Sequence, residues 1–232
     1  MSVRGSGDVS VEIAGEMMTL LPERAVWWAR TSTLLVADPH WGKAAAFRVG
    51  GIPVPRGTTS GGLARLDSAI ARTKAQRLVF LGDFLHAREG RAEETLRVLA
   101  QWRRRSSDLE MVVVRGNHDR GAGDPPAELR ARCVDAPLVE APFVLTHYPT
   151  TSDAGYVLAG HVHPAVRLAG PAAQRERLPC FWLRTTSAVL PAFGDFTGHA
   201  DIEPALGDRI FVLADGRVID MTTSLPSTID GA

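Results

Sequence analysis

Six of the seven histidines in this chain fall in five short clusters, each placed where an apolar run stops. In order they are Asp38-Pro39-His40, Gly82-Asp83-Phe84-Leu85-His86, Gly116-Asn117-His118-Asp119, Thr146-His147-Tyr148 and Gly160-His161-Val162-His163. His, Asp and Asn bind hard and borderline divalent cations without thiolate. Active-site groups of open α/β sheets sit just outside the carboxyl ends of strands, which is where these clusters lie. The pattern reads as a metal-dependent hydrolase.

Two metals that each keep one or two water positions need about seven protein ligands. Asp38, His40, Asp83, Asn117, His147, His161 and His163 supply seven, with Asp83 expected to bridge. Paired divalent ions ~3.5–4 Å apart hold a bridging hydroxide for in-line attack and clamp the attacking and leaving oxygens. Two ions bring four positive charges, against three negative from two aspartates and a hydroxide. Such a site favours an anionic phosphate ester. His118 directly follows Asn117 and should face the substrate as general acid, with Asp119 fixing its tautomer. His86, on the loop of Asp83, is placed to bind phosphate or assist proton transfer.

Taken singly, most of these clusters fit ordinary turns. His161 and His163 say more, because residues two apart share one strand face. Five independent turns would not recur in this order at strand ends. Trp41 and Tyr148 adjoin ligands and suit either a substrate flank or core packing. His199 reads as a loop surface residue. Lys43, Arg48 and Arg56 follow the first cluster and are candidates to contact phosphate; solvated surface charge is the plainer reading.

The elements that must position these groups alternate in the first half. Thr33–Ala37, Arg77–Leu81 and Glu110–Arg115 read as buried strands. Lys43–Val49, Thr59–Thr73, Ala92–Arg104 and Ala127–Arg132 read as helices, with Thr58 or Thr59 as an N-cap. Val9–Ile13 and Ala25–Ala29 are short strand candidates ahead of them. From Phe143 onward the pattern is strands alone, closing on an Asp215-Gly216 hairpin. This implies an α/β fold of two packed sheets flanked by helices. A single domain is expected over 9–221, with loose tails at 1–8 and 222–232.

The chain has 232 residues, 45% of them hydrophobic, with 26 basic and 26 acidic side chains. That balance argues against tight nonspecific duplex binding through bulk charge. Arg103, Arg104 and Arg105 form a short basic run that reads as a solvated helix end. Cys133 and Cys180 lie far apart without CxxC spacing, so neither a disulfide framework nor a thiolate zinc site is supported. Neither a signal-peptide core nor an apolar run of the ~20 residues that cross a bilayer is visible, so a soluble, cytoplasmic protein is expected.

The ordered set Asp-x-His, Gly-Asp-x-x-His, Gly-Asn-His-Asp, His, Gly-His-x-His over residues 38–163 resembles the calcineurin-like metallophosphoesterases. The resemblance implies a two-sheet β-sandwich flanked by helices. It places Asp38, His40, Asp83 and His163 at one metal and Asp83, Asn117, His147 and His161 at the other. His118 matches the family's catalytic histidine. A closer likeness runs through Ala37–Arg48, Gly51–Gly57, Phe80–His86 and Leu190–Gly194, which are similar to the bacterial DNA ligase-associated metallophosphoesterases. That subfamily implies Mn²⁺-dependent phosphodiesterase or endonuclease activity on single-stranded DNA. It also implies DNA repair beside a DNA ligase, a helicase and an exonuclease. His86 fits the subfamily, whereas Pro39 departs from the usual Leu and should stiffen the turn. Spacing alone leaves Fe, Zn, Ni, Co and Mg compatible. It also leaves open a small nucleotide diester or UDP-sugar pyrophosphate as substrate, or a docking subunit with secondary activity. Oligomeric state is not legible.

Overall fold

The computed structural model describes residues 7–55, 57–169 and 175–222. Arg56, and residues 1–6 and 223–232 of the tails expected over 1–8 and 222–232, lie outside the described residues. The chain begins with β1 (Val9–Ile13), β2 (Glu16–Leu21), β3 (Ala25–Trp28) and β4 (Thr33–Val36), then α1 (Lys43–Val49) and α2 (Thr58–Thr73). There follow β5 (Arg77–Leu81), α3 (Glu93–Arg105), β6 (Glu110–Val114), α4 (Asn117–Ala122) and β7 (Arg132–Val134). The remainder is β8 (Leu138–Glu140), β9 (Phe143–Leu145), β10 (Tyr156–Ala159), β11 (Pro164–Ala169), β12 (Arg175–Leu183), β13 (Ser187–Val189), β14 (Ala200–Asp201), β15 (Arg209–Ala214) and β16 (Arg217–Asp220).

The first sheet runs β1-β2-β3-β4-β5-β6-β7, with β4 to β7 parallel. The second runs β14-β11-β12-β13-β10-β9-β8, with β15 and β16 added beside β12. Strand periodicity explains the layering. Leu35, Val79, Leu81, Val112 and Val114 face the second sheet and join Phe143, Leu145, Leu158, Phe181 and Phe211 in one core. Their neighbours Leu34, Val36, Leu78, Phe80, Met111 and Val113 face the other way. There they meet Leu63 and Leu66 of α2 and Leu99 and Trp102 of α3. A strand buried on both faces must read as an unbroken apolar run, as β4, β5 and β6 do. Each such side chain contributes roughly 1.5–3 kcal/mol on burial. The two mixed sheets with flanking helices agree with the expected α/β architecture.

Several local expectations change. The Ala127–Arg132 segment is a single 3-10 turn (Ala127–Leu129) that leads into β7, whose backbone from Arg132 pairs with β6 and extends the parallel sheet. Among the strands, β2, β7, β8 and β14 go unforeseen. α2 starts after Gly57, whose φ of 84° sets the turn, and no Thr side chain caps it. Gly7 and Asp8 are held rather than loose: Val218 donates to the Gly7 carbonyl and Arg72 grips both Asp8 oxygens. Arg103 is buried, donating from Nε to the Leu129 carbonyl at 2.7 Å, while Arg104 and Arg105 are exposed. Both cysteines are free, and burial pushes the thiols of Cys133 and Cys180 up to about 11 and about 12. Among the described residues no helix is long and apolar enough to cross a membrane.

Candidate metal centre

Parallel strands deliver the clusters to one edge of the molecule. Asp38 and His40 follow β4, Asp83 follows β5, and Asn117 follows β6 and opens α4. His147 follows β9, and His161 and His163 follow β10. Asp38, His40, Asp83, His161 and His163 all hold positive φ, between 46° and 69°. Non-glycine residues rarely adopt this region, which costs of order 1–3 kcal/mol each and concentrates at functional sites. After β4, β5 and β10 the chain turns into the left-handed region at the ligand residues themselves, just past the strand ends.

Two glycines make the close approach possible. A Cβ on Gly82 would stand 2.2 Å from His147 Nδ1, and Gly82 itself has a φ of 87°. A Cβ on Gly116 would stand 2.2 Å from Asp83 Oδ1. Asp83 and His147 therefore occupy the space that any other side chain would fill.

The ligand atoms gather in two groups. Asp38, His40 and His163 form one, and Asp83, His147 and His161 form the other; within each, all donor atoms lie within 4.8 Å of one another. Asp83 touches both: its Oδ2 is 3.7 Å from His40 Nε2 and its Oδ1 is 3.5 Å from His147 Nε2. Asn117 joins the second group, with Oδ1 2.9 Å from His147 Nε2. Nε2 of His163 and His40 approach to 3.3 Å, and His161 Nδ1 stands 3.1 Å from His147 Nε2.

The hydrogen bonds around these atoms show what the donor set lacks. His147 Nδ1 donates to the Leu81 carbonyl at 3.0 Å and His163 Nδ1 to the Gly198 carbonyl at 2.9 Å. With those protons placed, the neutral rings turn Nε2 lone pairs toward oxygen acceptors: His147 toward Asp83 and Asn117 Oδ1, His163 toward Asp38. Asp38 Oδ1 is buried with no hydrogen-bond partner. Acceptors facing acceptors in a buried site are costly unless a cation lies between them. The donor set fits a pair of divalent cations bound through nitrogen and oxygen.

Electrostatics agree. Burial, with Lys43, His163, His118 and His86 nearby, pushes the His40 pKa far down, which keeps a ligand imidazole neutral. Burial and His147 lower His161. Burial opposes charge on His163 too, but the Asp38 carboxylate and the Gly198 carbonyl outweigh it and raise its pKa. Burial raises Asp83, and it lowers Lys43 against the pull of Asp83 and Asp38.

Around the ligands, His118 stacks on His86 with ring centroids 4.9 Å apart. Its Nδ1 pairs with the His86 carbonyl, and its Nε2 lies 3.9 Å from Asp83 Oδ2. His86 Nδ1 lies 3.5 Å from His40 Nδ1. The expectation for Asp119 needs correction. Its carboxylate is buried and accepts from the backbone N–H of Gly116 at 2.9 Å and of Leu85 at 3.2 Å. Asp119 ties the Asp83 loop to the Asn117 loop, and the His86 carbonyl takes the place foreseen for it beside His118. The ties come from the turn of α4, which sends Asp119 inward while its neighbour faces out.

Trp41 is a core residue, buried with its ring centroid 6.0 Å from that of Phe193. Tyr148 is exposed and lies over His161, with centroids 4.4 Å apart. His199 is half-buried with its Nδ1 enclosed, because β14 brings its loop against β11, so it is not a plain surface residue. Lys43 borders a small cleft beside His40. Arg48 is exposed and reaches back to the Pro55 carbonyl at 3.4 Å, so it closes its own loop rather than facing the ligands. Gly198 and Leu81 serve the site through their carbonyls, a role invisible in side-chain chemistry.

Residues 31–161 match the family model described as calcineurin-like phosphoesterase. The chain belongs to the calcineurin-like phosphoesterases. Among solved structures it is similar to the Pseudomonas putida nuclease MPE, at 45% identity over 92% of this chain and 99% of that one, with a TM-score of 0.82. It also matches Yfce, a phosphoesterase from E. coli, at 17% identity over 79% and 88% of the two chains; a TM-score of 0.40 gives that likeness no weight here. A search of curated proteins gives no significant match. This calcineurin-like chain is thus a metal-dependent phosphoesterase with a site suited to two divalent ions.

Proposed function

We propose that the protein is a phosphodiesterase and endonuclease acting on DNA, single-stranded by preference, with two Mn²⁺ ions. Asp38, His40, Asp83 and His163 would hold one ion, and Asp83, Asn117, His147 and His161 the other. When bound, such ions activate water and stabilise negative charge on the phosphoryl group. Manganese suits mixed nitrogen and oxygen ligands without thiolate. His118 would protonate the leaving oxygen from Nε2. The His86 carbonyl keeps its Nδ1 protonated and the stack on His86 fixes its plane, so the acid is oriented before substrate arrives.

The observation that most supports this reading is Asp83 standing between two converging sets of lone pairs, with His118 Nε2 beside it. For a nucleic-acid substrate the support is the 45% identical nuclease, matched over nearly its full length; the choice of DNA rests on the resemblance to the DNA ligase-associated enzymes. A single strand reaches ions at sheet ends without base flipping. The resemblance to DNA ligase-associated enzymes extends the proposal to cytoplasmic DNA repair beside a ligase, a helicase and an exonuclease.

The test is a substrate panel with Mn²⁺-loaded protein: circular single-stranded DNA, duplex DNA, RNA, nucleotide diesters and UDP-sugars. Linearisation of the single-stranded circle well ahead of duplex cleavage is expected. Turnover confined to nucleotide diesters or UDP-sugars would overturn the DNA assignment.

A further inference from the structure

The surroundings of the metal centre are unequal on its two sides. On the His40 side, the cleft bordered by Lys43, Thr58, Arg65 and Asp195 has room for about 20 Å³, no more than a water or two. Beside His118 the surface opens into a groove of about 320 Å³ lined by His86, Arg88, Asn117, His118 and Gly121. That volume reaches the range of small-ligand clefts, roughly 300–1,000 Å³. No carboxylate borders this groove among the described residues, whereas Asp195 borders the other.

Resting on the nuclease reading above, we infer that the larger groove is the exit path of the leaving strand and that Arg88 contacts a phosphate of that strand. A general acid must touch the leaving oxygen, so the leaving group lies on the His118 side. The groove there has room for a nucleotide. Arg88 is exposed, on the short 3-10 turn Arg88–Arg91, and its Nε donates to the Gly121 carbonyl at 3.2 Å. This bond uses Nε alone and holds the guanidinium at the groove, with its terminal nitrogens available to a phosphate. A cationic groove that follows the backbone is how single strands are held without reading bases. The substrate class is accordingly a polynucleotide, with phosphate beyond the cleaved bond, rather than an isolated diester.

The test compares a single-stranded oligonucleotide with bis-p-nitrophenyl phosphate, which carries no phosphate beyond the bond cut. Arg88→Gln should raise KM for the oligonucleotide about fivefold, the upper end for an exposed ion pair. The slope of log KM against log salt should flatten by about 0.7, one single-strand phosphate contact. The oligonucleotide should suffer several times more than the small diester. Arg88→Lys should restore most of the loss, because it keeps the charge although it lacks the Nε bond. Gly121→Asp is an independent probe: a Cβ there meets nothing within 4 Å, so the new carboxylate enters the groove and should also raise the oligonucleotide KM selectively. Equal effects on both substrates, an unchanged salt slope, or failure of Arg88→Lys to rescue would reduce Arg88 to a clip between its turn and α4 and overturn the exit path. Wild-type protein that cleaves the small diester but no oligonucleotide would overturn the nuclease reading itself.

Discussion

Gly116→Ala should disable the site by a single methyl group. Gly116 has a φ of −93°, ordinary for any residue, so the backbone itself accepts alanine. The obstacle is contact. The new Cβ would stand 2.2 Å from Asp83 Oδ1 and 2.6 Å from the Asp83 nitrogen, where ordinary contact begins near 3.4 Å. Asp83 and Gly116 must therefore separate by roughly 1 Å, and a misplacement of that size in a catalytic constellation costs on the order of 100-fold in rate. The shift would also strain the 2.9 Å bond from His118 N to Asp83 Oδ1 and the 2.9 Å bond from Gly116 N to Asp119. Overpacking should remove about 1–3 kcal/mol of stability, leaving the chain folded. The assay is hydrolysis of bis-p-nitrophenyl phosphate with saturating Mn²⁺, beside elemental analysis of bound metal and thermal unfolding. Gly61→Ala on α2 is the control: its Cβ meets nothing within 4 Å, and activity should persist with a helix stabilised by ~0.5–1 kcal/mol. Wild-type rate and metal content in folded Gly116→Ala would show that the position of Asp83 does not set the site.

Other consequences follow from the same geometry. His118→Ala should retain its metals yet lose about 10²–10⁴-fold in rate on diesters with poor leaving groups, and much less on p-nitrophenyl esters. Equal losses on both would count against proton donation. Chelation should lower the unfolding temperature, since ions at 100 times their Kd would stabilise the fold by about 2.7 kcal/mol; identical melting with and without chelator would contradict the buried-acceptor account. Asp124 is held below the usual carboxylate range by the Arg115 guanidinium, which donates to both its oxygens at 2.7 and 2.8 Å. A depressed carboxylate stabilises the fold above its unfolded pKa and loses that contribution as pH falls through the folded value. Asp124→Asn should cost about 0.5 kcal/mol near pH 7, this pair being solvent-screened, and its urea midpoint should converge with wild type as pH falls toward ~3. A gap that persists in acid would refute the pairing.

The sheets and the gathering of the clusters are legible in the chain because β4, β5 and β6 are buried on both faces. Their apolar runs end abruptly, and the residue after each run has one place to go, the rim where parallel strands finish. What escapes is set by tertiary contact. Asp119 beside His118 suggests a catalytic pair, yet the turn of α4 sends it inward to two backbone amides. Trp41 next to His40 suggests a substrate flank, but it fills the space that Gly62 leaves open on α2. β7 goes unread because three residues carry little periodicity, and it is pairing with β6 that makes them a strand. Arg88 has no motif at all; only the groove beside His118 gives it meaning.

Whether Asp83 would hold two cations at once, where five loops converge, decides the proposed function. Anomalous diffraction from a manganese-soaked crystal tests it most directly. Two peaks are expected, one against Asp38, His40 and His163, the other against Asn117, His147 and His161, with Asp83 touching both. A single peak at saturating manganese, or two peaks without Asp83 between them, would contradict the proposal.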